Sequence, residues 1–331
     1  MSEQRHILEV AADGTWRLDG EPWRPDSDFY AVLGDPVAHS LLPALHNAAL
    51  QDRGLPAVCV AARVPVGHLA ALRERGAAAG MAGFNLTAPL EEAAAGLCAG
   101  RTDVARELGA VDTVKLDGDR WLGHNTNSGG IRAVLAEVFR HRPAPQRALV
   151  LGAGGSARAA IHALDGLGLD EIEIRSRSGE DRRHLERWLA QETWSRRARC
   201  TVLPLEPRRP APAALVVVAL AGGEDPTRYL PPTAEGESGV SPGAGADLAP
   251  ATGVGAELPP VAGVEPEFPP EPGAGPVVLD LRYGGQRPDA VLPAGAHPVD
   301  GKPVLLMQGG LAFAWWFGMP VPWQAMRRAL D

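Results

Sequence analysis

The chain has 331 residues, of which 45% are hydrophobic and 22% charged, a composition typical of a globular protein long enough for two domains. Its net charge of −8 lacks the basic excess that nucleic-acid-binding proteins carry. No apolar run approaches the length of a membrane span, and the first residues lack the apolar stretch of a signal peptide. We therefore expect a cytoplasmic protein that binds neither nucleic acid nor membranes.

The sequence does not indicate a metal site. The three cysteines, Cys59, Cys98 and Cys200, lie far apart and show neither zinc-ligand spacing nor a disulfide framework. No cluster of His, Cys and carboxylate residues occurs at metal-ligand spacing. We predict that the protein binds no metal.

The N-terminal half begins with a predicted hairpin and continues as alternating strands and helices. Residues 7–10 and 15–18 are short apolar segments on either side of an Asp-Gly turn, which predicts the hairpin. Strands are then predicted at 30–34 and 58–64, and helices at 41–53 and 66–76. Such alternation is typical of βαβ units and predicts an α/β fold.

A glycine-rich turn follows the strongest predicted strand, at 148–151, and precedes an alanine-rich helix that extends to about residue 164. Gly152, Gly154 and Ala157 match the dinucleotide-binding pattern, in which glycines allow close backbone approach to a pyrophosphate. The partial positive charge of the helix N-terminus favours the same anion. We predict that Gly152, Gly154, Gly155 and Ser156 contact the cofactor.

The next predicted strand, 171–174, ends in Arg175, Ser176, Arg177 and Ser178. An NAD site would usually place an acidic residue here for the ribose 2′-hydroxyl, whereas arginines and hydroxyls suit a 2′-phosphate. We predict that these four residues select NADP. The alternative is a structural turn that binds no phosphate and is followed by solvated arginines.

A change of composition marks residues 231–276, which are rich in Pro, Gly, Ala and Glu and poor in bulky side chains. Such a segment buries too little apolar surface to order itself, so we predict a flexible insertion. Regular structure is predicted to resume with a strand at 277–280. The chain ends in a Trp-rich helical segment from 309 to about 330, which Pro320 and Pro322 are expected to split.

Several segments in this order resemble the motifs of shikimate dehydrogenases. They are GDPVAHSLLPALHN at 34–47, NLTAP at 85–89, GAVDT at 109–113, GHNTN at 123–127, GAGG at 152–155, DLRY at 280–283 and QGGLAFAW at 308–315. The resemblance implies a two-domain α/β protein. Its substrate domain would comprise 1–126 plus 307–331, and its Rossmann-type NADP-binding domain would comprise 127–306 with the long insertion. The family reduces 3-dehydroshikimate with NADPH.

The resemblance also implies a set of ligand-binding positions. The family uses hydroxyls and amides to hold the substrate, and a lysine and an aspartate to handle the proton at the reacting oxygen. The retained positions are Ser40, Asn85, Thr87, Tyr283 and Gln308.

Four positions depart from the family pattern. Glu91 stands in place of the lysine and Asn127 in place of the aspartate, while Asp112 replaces an asparagine and Leu42 a serine. If both acids are ionised, the site carries two negative charges where the family's Lys/Asp pair is neutral; two close carboxylates would favour protonation of one, with a raised pKa. Leu42 removes a donor to a substrate carboxylate. We therefore expect a cationic or neutral ligand.

The same positions suggest roles in catalysis. Glu91 or Asp112 would stabilise an iminium charge or act as general acid, and Tyr283 or His124 would assist proton transfer. Asn127 would hydrogen-bond the ligand without exchanging a proton. The structural alternatives are that Glu91 is a solvent-facing helix residue and that His124 makes only a contact between domains.

The sequence thus predicts an NADP-dependent oxidoreductase of shikimate-dehydrogenase-like fold that acts on a small non-shikimate imine, amine or ketone in specialised metabolism. Two alternatives remain open at this point. One is a non-redox enzyme that uses Glu91 and Asp112 for elimination, isomerisation or condensation, and the other is a catalytically silent nucleotide- or metabolite-binding protein. The oligomeric state is open too, a homodimer being one option.

Overall fold

The computed structural model describes residues 8–75, 79–140, 145–191, 194–207, 213–220, 225–230, 276–283, 292 and 295–331. They form two compact units. The first contains the described residues of Met1–Thr126 and Leu305–Asp331, and the second those of Asn127–Ala256 and Glu265–Val304. The predicted insertion, 231–276, lies almost wholly outside the described residues.

The first unit is built on a mixed sheet flanked by helices. Its strands and helices are β1 (Leu8–Val10), β2 (Trp16–Leu18), β3 (Glu21–Pro22), β4 (Phe29–Gly34), α1 (Leu42–Asp52), β5 (Val58–Arg63), α2 (Leu69–Arg75), β6 (Met81–Leu86), α3 (Glu91–Leu97), β7 (Gly100–Arg101), α4 (Asp103–Leu108), β8 (Thr113–Asp117) and β9 (Arg120–His124). Within the described residues the sheet has nine strands, in the order β3-β2-β1-β5-β4-β6-β8-β9-β7. The central strands β5, β4 and β6 run parallel. Every residue of β4 is buried, as expected of a parallel strand covered on both faces.

The second unit has the strand order of a Rossmann fold. Its elements are α5 (Asn127–Val138), β10 (Arg147–Leu151), α6 (Gly155–Gly166), β11 (Glu171–Ser176), α7 (Gly179–Leu189), β12 (Arg199–Pro204), β13 (Leu215–Val218), β14 (Val277–Asp280) and β15 (His297–Val299). The strands pair in parallel in the order β12-β11-β10-β13-β14-β15. This order reverses between β10 and β13, the place where such sheets bind nucleotides. The predicted α/β fold class is confirmed.

The C-terminal helices are α8 (Gly301–Phe317) and α9 (Trp323–Arg328). The sequence predicted that the helix begins at residue 309, and this prediction is wrong. The Asp300 side chain accepts a hydrogen bond from the Lys302 backbone N–H at 2.8 Å, which caps α8 eight residues earlier. The predicted split near Pro320 and Pro322 is confirmed, because α9 begins directly after Pro322.

Candidate functional site

A buried network of polar side chains lies at the end of β6, where the first unit carries many of the predicted ligand-binding residues. Asn85 donates through Nδ2 to the Thr113 Oγ1, 2.9 Å away, and its Oδ1 lies 2.8 Å from the His46 Nε2. Asn85 and Thr113 are directly opposite each other on β6 and β8, so their side chains share a face of the sheet. The contacts of Asn85 therefore join α1 to two strands.

Asp112 accepts hydrogen bonds at the start of β8. Its two carboxylate oxygens lie 2.8 and 2.9 Å from the Thr126 backbone N, and its Oδ1 also accepts from the hydroxyls of Thr113 at 2.7 Å and Thr126 at 3.0 Å. All three residues are buried. A carboxylate that satisfies several buried donors is suited to holding the backbone in place.

His46 is buried on α1, and burial lowers its pKa to about 4. Asn85 uses its amide group as a donor to Thr113, so its Oδ1 is the acceptor for a proton on the His46 Nε2. The ring also lies against Trp316 of α8, with centroids 4.8 Å apart. His46 is thus a neutral residue whose contacts join α1 to β6 and α8.

His124 ends β9, directly opposite Thr113. Its Nδ1 lies 2.9 Å from the Thr102 Oγ1, and its ring centroid lies 5.2 Å from that of Trp315. Burial lowers its pKa to about 4, so the ring is neutral at pH 7. A neutral imidazole at this place can donate or accept a hydrogen bond without carrying charge.

The remaining predicted residues of the first unit lie at helix starts and strand ends. Ser40 and Thr87 are half-buried in the loops after β4 and β6, and the Ser40 Oγ accepts from the Leu42 backbone N at 3.3 Å. Leu42 begins α1, and its Cδ2 lies 3.4 Å from the point where a Cβ on Gly309 would be. Leucine therefore packs against α8 next to Gln308, which is half-buried.

The position of the family's lysine is the first residue of α3. Glu91 is half-buried there, and its backbone carbonyl accepts from the Val111 N at 3.0 Å. A carboxylate in the first turn of a helix is favoured by the helix dipole. The helix thus suits the glutamate at the position where the family carries a cation.

Asn127 and Tyr283 belong to the second unit. Asn127 is the first residue of α5, and Tyr283 follows the end of β14 by three residues; both are half-buried. Directly before Tyr283, the Arg282 guanidinium holds the Asp280 carboxylate through Nε–Oδ1 and Nη2–Oδ2 contacts of 2.9 and 2.8 Å. This buried pair fixes the turn on which Tyr283 lies.

The glycine turn fits a bound pyrophosphate. Gly152 has φ of +123°, and a Cβ there would collide with the Ala219 carbonyl oxygen beyond the end of β13, so only glycine is compatible. Gly154 precedes α6 without a side-chain cap, and a Cβ there would meet nothing within 4 Å. Beside it, Gly155 is half-buried and Ser156 is exposed. The open helix N-terminus therefore has space for a phosphate.

Of the two arginines near the end of β11, one is buried and the other is exposed. Arg175 is 0% exposed and its Nε lies 2.5 Å from the Glu173 Oε1, so its guanidinium pairs with a carboxylate, and its contact with a phosphate stays a prediction. Side chains alternate along β11, so Arg175 shares a face of the strand with Glu173. Arg177 lies just past the strand and is exposed. Ser176 is buried, and Ser178 caps α7 by accepting from the Asp181 N at 3.1 Å.

Sequence reasoning missed two residues that shape these sites. The Arg182 Nη1 donates to the carbonyl oxygens of Ser176, at 2.6 Å, and Arg177, at 3.0 Å, and so pins the turn that carries Arg177. The signal available in the sequence was the position of Arg182 on α7, the helix that directly follows this turn. Thr102 was missed although a threonine before Asp103 is a helix-cap signal, because its contact with His124 spans 22 residues.

The described part of the chain contains neither a metal site nor a membrane-spanning helix. No group of three or more His, Cys, Asp or Glu residues there is arranged to hold a metal ion. Nor does any helix in those ranges combine the length and apolar character needed to cross a membrane.

Comparison with known proteins places these sites in context. Residues 32–114 match the family model described as the shikimate dehydrogenase substrate binding domain. A shikimate dehydrogenase (NADP(+)) of Anaeromyxobacter dehalogenans is 36% identical over 306 residues, covering 91% of this chain and 95% of that protein. One from Methanopyrus kandleri is 31% identical over 310 residues, covering 92% and 95%.

Solved structures show the same architecture. Shikimate 5-dehydrogenase of Thermus thermophilus, in complex with NADP(H) and shikimate, is 28% identical with a TM-score of 0.62, covering 91% of this chain and 98% of that chain. The ligand-free 5-ketofructose reductase of Gluconobacter sp. strain CHM43 is 21% identical with a TM-score of 0.67, covering 92% and 98%. At that identity the likeness concerns the fold alone.

Proposed function

The chain belongs to the shikimate dehydrogenase family, and we propose that it is an NADP-dependent oxidoreductase acting on a small substrate other than shikimate. The observation that supports the cofactor is the glycine turn at the switch point of the second sheet, together with exposed Arg177 just past the end of the neighbouring strand β11. The observation that carries the substrate is the set of four replaced positions, Leu42, Glu91, Asp112 and Asn127.

NADP is supported by geometry as well as by relatives whose names specify NADP(+). Gly152 and Gly154 leave the start of α6 open to a pyrophosphate. Arg177 is exposed at the end of the adjacent strand, held there by the bonds from Arg182 to its carbonyl and that of Ser176. A guanidinium in this position suits the 2′-phosphate that distinguishes NADP from NAD.

A substrate other than shikimate is supported by the loss of groups that would bind an anionic hydroxy acid. Leu42 offers only apolar contact where a hydroxyl would bind a carboxylate, and Glu91 would repel that carboxylate. When bound, NADPH supplies a hydride to an electrophilic carbon such as that of a ketone or an imine. We therefore propose a small cyclic ketone or imine, or the corresponding alcohol or amine in the reverse direction.

Glu91 and Asp112 take different roles in this proposal. Glu91 is the proposed general acid, or the group that stabilises positive charge on an imine nitrogen. Asp112 is a positioning residue, because its carboxylate accepts from the Thr126 backbone and from two hydroxyls. These bonds weigh against a non-redox mechanism in which both carboxylates exchange protons. Asn127 and Tyr283 are also proposed to contact the ligand.

The test of the cofactor is a pair of titrations with NADPH and NADH, followed by nicotinamide fluorescence. We expect the Kd for NADPH to be at least about tenfold below that for NADH, and Arg177→Gln to remove most of this difference, since a charge-assisted bond contributes about 1.5–3 kcal/mol. Arg187→Gln, an exposed arginine on the last turn of α7, is the matched control. Absence of binding for both nucleotides contradicts the proposal.

The test of the substrate class is a screen of cyclic ketones and cyclic imines for NADPH oxidation, with 3-dehydroshikimate as the family reference. We expect turnover of a ketone or an imine and little of 3-dehydroshikimate. Glu91→Gln should lower kcat by roughly 100-fold, the usual contribution of a general acid, and leave the Kd for NADPH nearly unchanged. Full activity in Glu91→Gln would remove Glu91 from the mechanism.

A further inference from the structure

The side chains of Thr102 and His124 form a pair that no part of the proposed mechanism yet uses. Thr102 caps α4, where its Oγ1 accepts from the Ala105 backbone N at 3.4 Å. The same oxygen lies 2.9 Å from the His124 Nδ1. The cap holds the Thr102 side chain at the start of α4, and His124 is held at the end of β9. The distance between Thr102 Oγ1 and His124 Nδ1 is therefore set by these two elements.

The hydrogen bonds of the Thr102 hydroxyl indicate which nitrogen of the His124 ring carries the proton. The Thr102 hydroxyl already accepts a bond from Ala105, and its proton has one acceptor within reach among the described residues, the His124 Nδ1. If Nδ1 carried the imidazole proton instead, it would donate to the second lone pair of the hydroxyl, and the hydroxyl proton would be left without an acceptor among the described residues. This arrangement favours protonation of the neutral ring at Nε2, and burial, which lowers the pKa of His124 to about 4, keeps the ring neutral.

The remaining donor of His124 lies on the face of the sheet that carries the other candidate ligand residues. Asn85, Thr113 and His124 stand opposite one another across β6, β8 and β9 and share that face. One side of the imidazole is covered by Trp315, which lies seven residues after Gln308 and so on the same side of α8. Within the described part of the chain the Nε2 makes no hydrogen bond, and the side chain is half-buried rather than sealed.

We propose that Thr102 is a positioning residue that holds neutral His124 with its Nε2–H directed at the ligand, and that the ligand presents an uncharged oxygen acceptor, a carbonyl or a hydroxyl, to this donor. The inference rests on the proposed function, whose substrate is this ligand. It narrows the substrate class, since an N–H donor disfavours an ammonium or iminium group at this point of the site. Trp315 supplies a flat apolar wall beside the same oxygen.

The tautomer can be measured without any substrate. In protein labelled with ¹⁵N-histidine, the His124 signals are assigned by their loss in His124→Gln and read by two-bond ¹H–¹⁵N correlation at pH 7. We expect the Nε2–H tautomer, retained in Thr102→Ser and replaced by a mixture of tautomers in Thr102→Val. An Nδ1–H tautomer in the unaltered protein overturns the proposal, as does a Thr102→Val spectrum identical to that of Thr102→Ser.

The ligand class is tested by the change in the His124 ¹⁵N signals when either of two neutral probes of similar shape is added to protein saturated with NADP⁺. Cyclohexanone carries an oxygen acceptor, and methylenecyclohexane does not. We expect cyclohexanone alone to shift the His124 Nε2. Equal shifts, or none from either probe, overturn the ligand class. Because nucleotide binding is measured separately, a failure here is distinguishable from a failure of the proposed cofactor.

Discussion

A single buried carboxylate in this protein can hold the backbone around it. Asp112 is the clearest case, because it joins the starts of two segments that are 14 residues apart in the chain. The family's asparagine at this position has only one acceptor oxygen, whereas the carboxylate has two and satisfies the Thr126 N–H with both. The carboxylate therefore provides a second acceptor oxygen at this place.

Asp112→Ala is expected to lower the free energy of unfolding by about 3 kcal/mol, because it leaves a buried N–H and two buried hydroxyls without their acceptor. Urea unfolding of the whole protein, followed by tryptophan fluorescence, measures the loss. Asp117→Ala, at the exposed far end of β8, is the control and should change stability by less than about 0.5 kcal/mol. Equal effects of the two substitutions would contradict the role assigned to Asp112.

The buried histidines predict a loss of stability in mild acid. Burial lowers the pKa of His46 to about 4, below the value of about 6.5 expected in the unfolded chain. The unfolded state therefore binds more protons, and stability, complete above about pH 6.5, falls as the pH decreases toward about 4. The expected loss between about pH 7.5 and pH 5 is on the order of 2 kcal/mol for this residue.

Urea unfolding at the two pH values checks this expectation. His46→Gln should reduce the difference between them, whereas His184→Gln, on the exposed side of α7, should leave it unchanged. A pH dependence that is identical in both variants would show that His46 does not titrate in this way.

At the scale of elements, the N-terminal hairpin shows what local signals can and cannot predict. The Asp-Gly turn and the two short strands were predicted, and antiparallel pairing of β1 with β2 confirms them. The parallel pairing of β1 with β5 was not predicted, because it joins segments that are more than fifty residues apart in the sequence. Trp16 is buried against Phe29 at a centroid distance of 4.9 Å, so the hairpin is part of the core.

Gly14 and Gly20 offer a matched pair for testing how tightly the hairpin packs. Both have positive φ, but a Cβ on Gly14 would collide with the Ala71 carbonyl oxygen, whereas one on Gly20 would meet nothing within 4 Å. We expect Gly20→Ala to cost about 1 kcal/mol of strain and Gly14→Ala at least twice that. Thermal melting of both variants measures the two losses of stability. A smaller loss for Gly14→Ala than for Gly20→Ala would show that the turn lies away from α2.

At the scale of the whole molecule, the departures from the family pattern occur in both units, so a variant that restores the family's residues carries substitutions in both. The substitutions Leu42→Ser, Glu91→Lys, Asp112→Asn and Asn127→Asp restore the family's residues together. We expect this quadruple variant to oxidise shikimate with NADP⁺ at least about 100-fold faster than the unaltered chain, since acid–base groups supply gains of this size.

The assay for this expectation is the appearance of NADPH absorbance, with Glu91→Lys alone as the comparison. Leu42, Asp112 and Asn127 still differ from the family in that single variant, so it should show little activity. Shikimate oxidation by the unaltered chain at a rate equal to that of the quadruple variant would contradict the proposed change of substrate.

The α/β fold, the strand–glycine–helix turn and the resemblance to a family could all be read from the amino-acid sequence, because periodicity, turn chemistry and motif order are local properties of the chain. Three facts emerged only from the folded chain: which of two neighbouring arginines is exposed, that Asp112 binds Thr126, and that Thr102 contacts His124. They depend on strand pairing and on the face to which each side chain turns. Residues brought together in that way lie far apart in the sequence, and no local pattern specifies their contact.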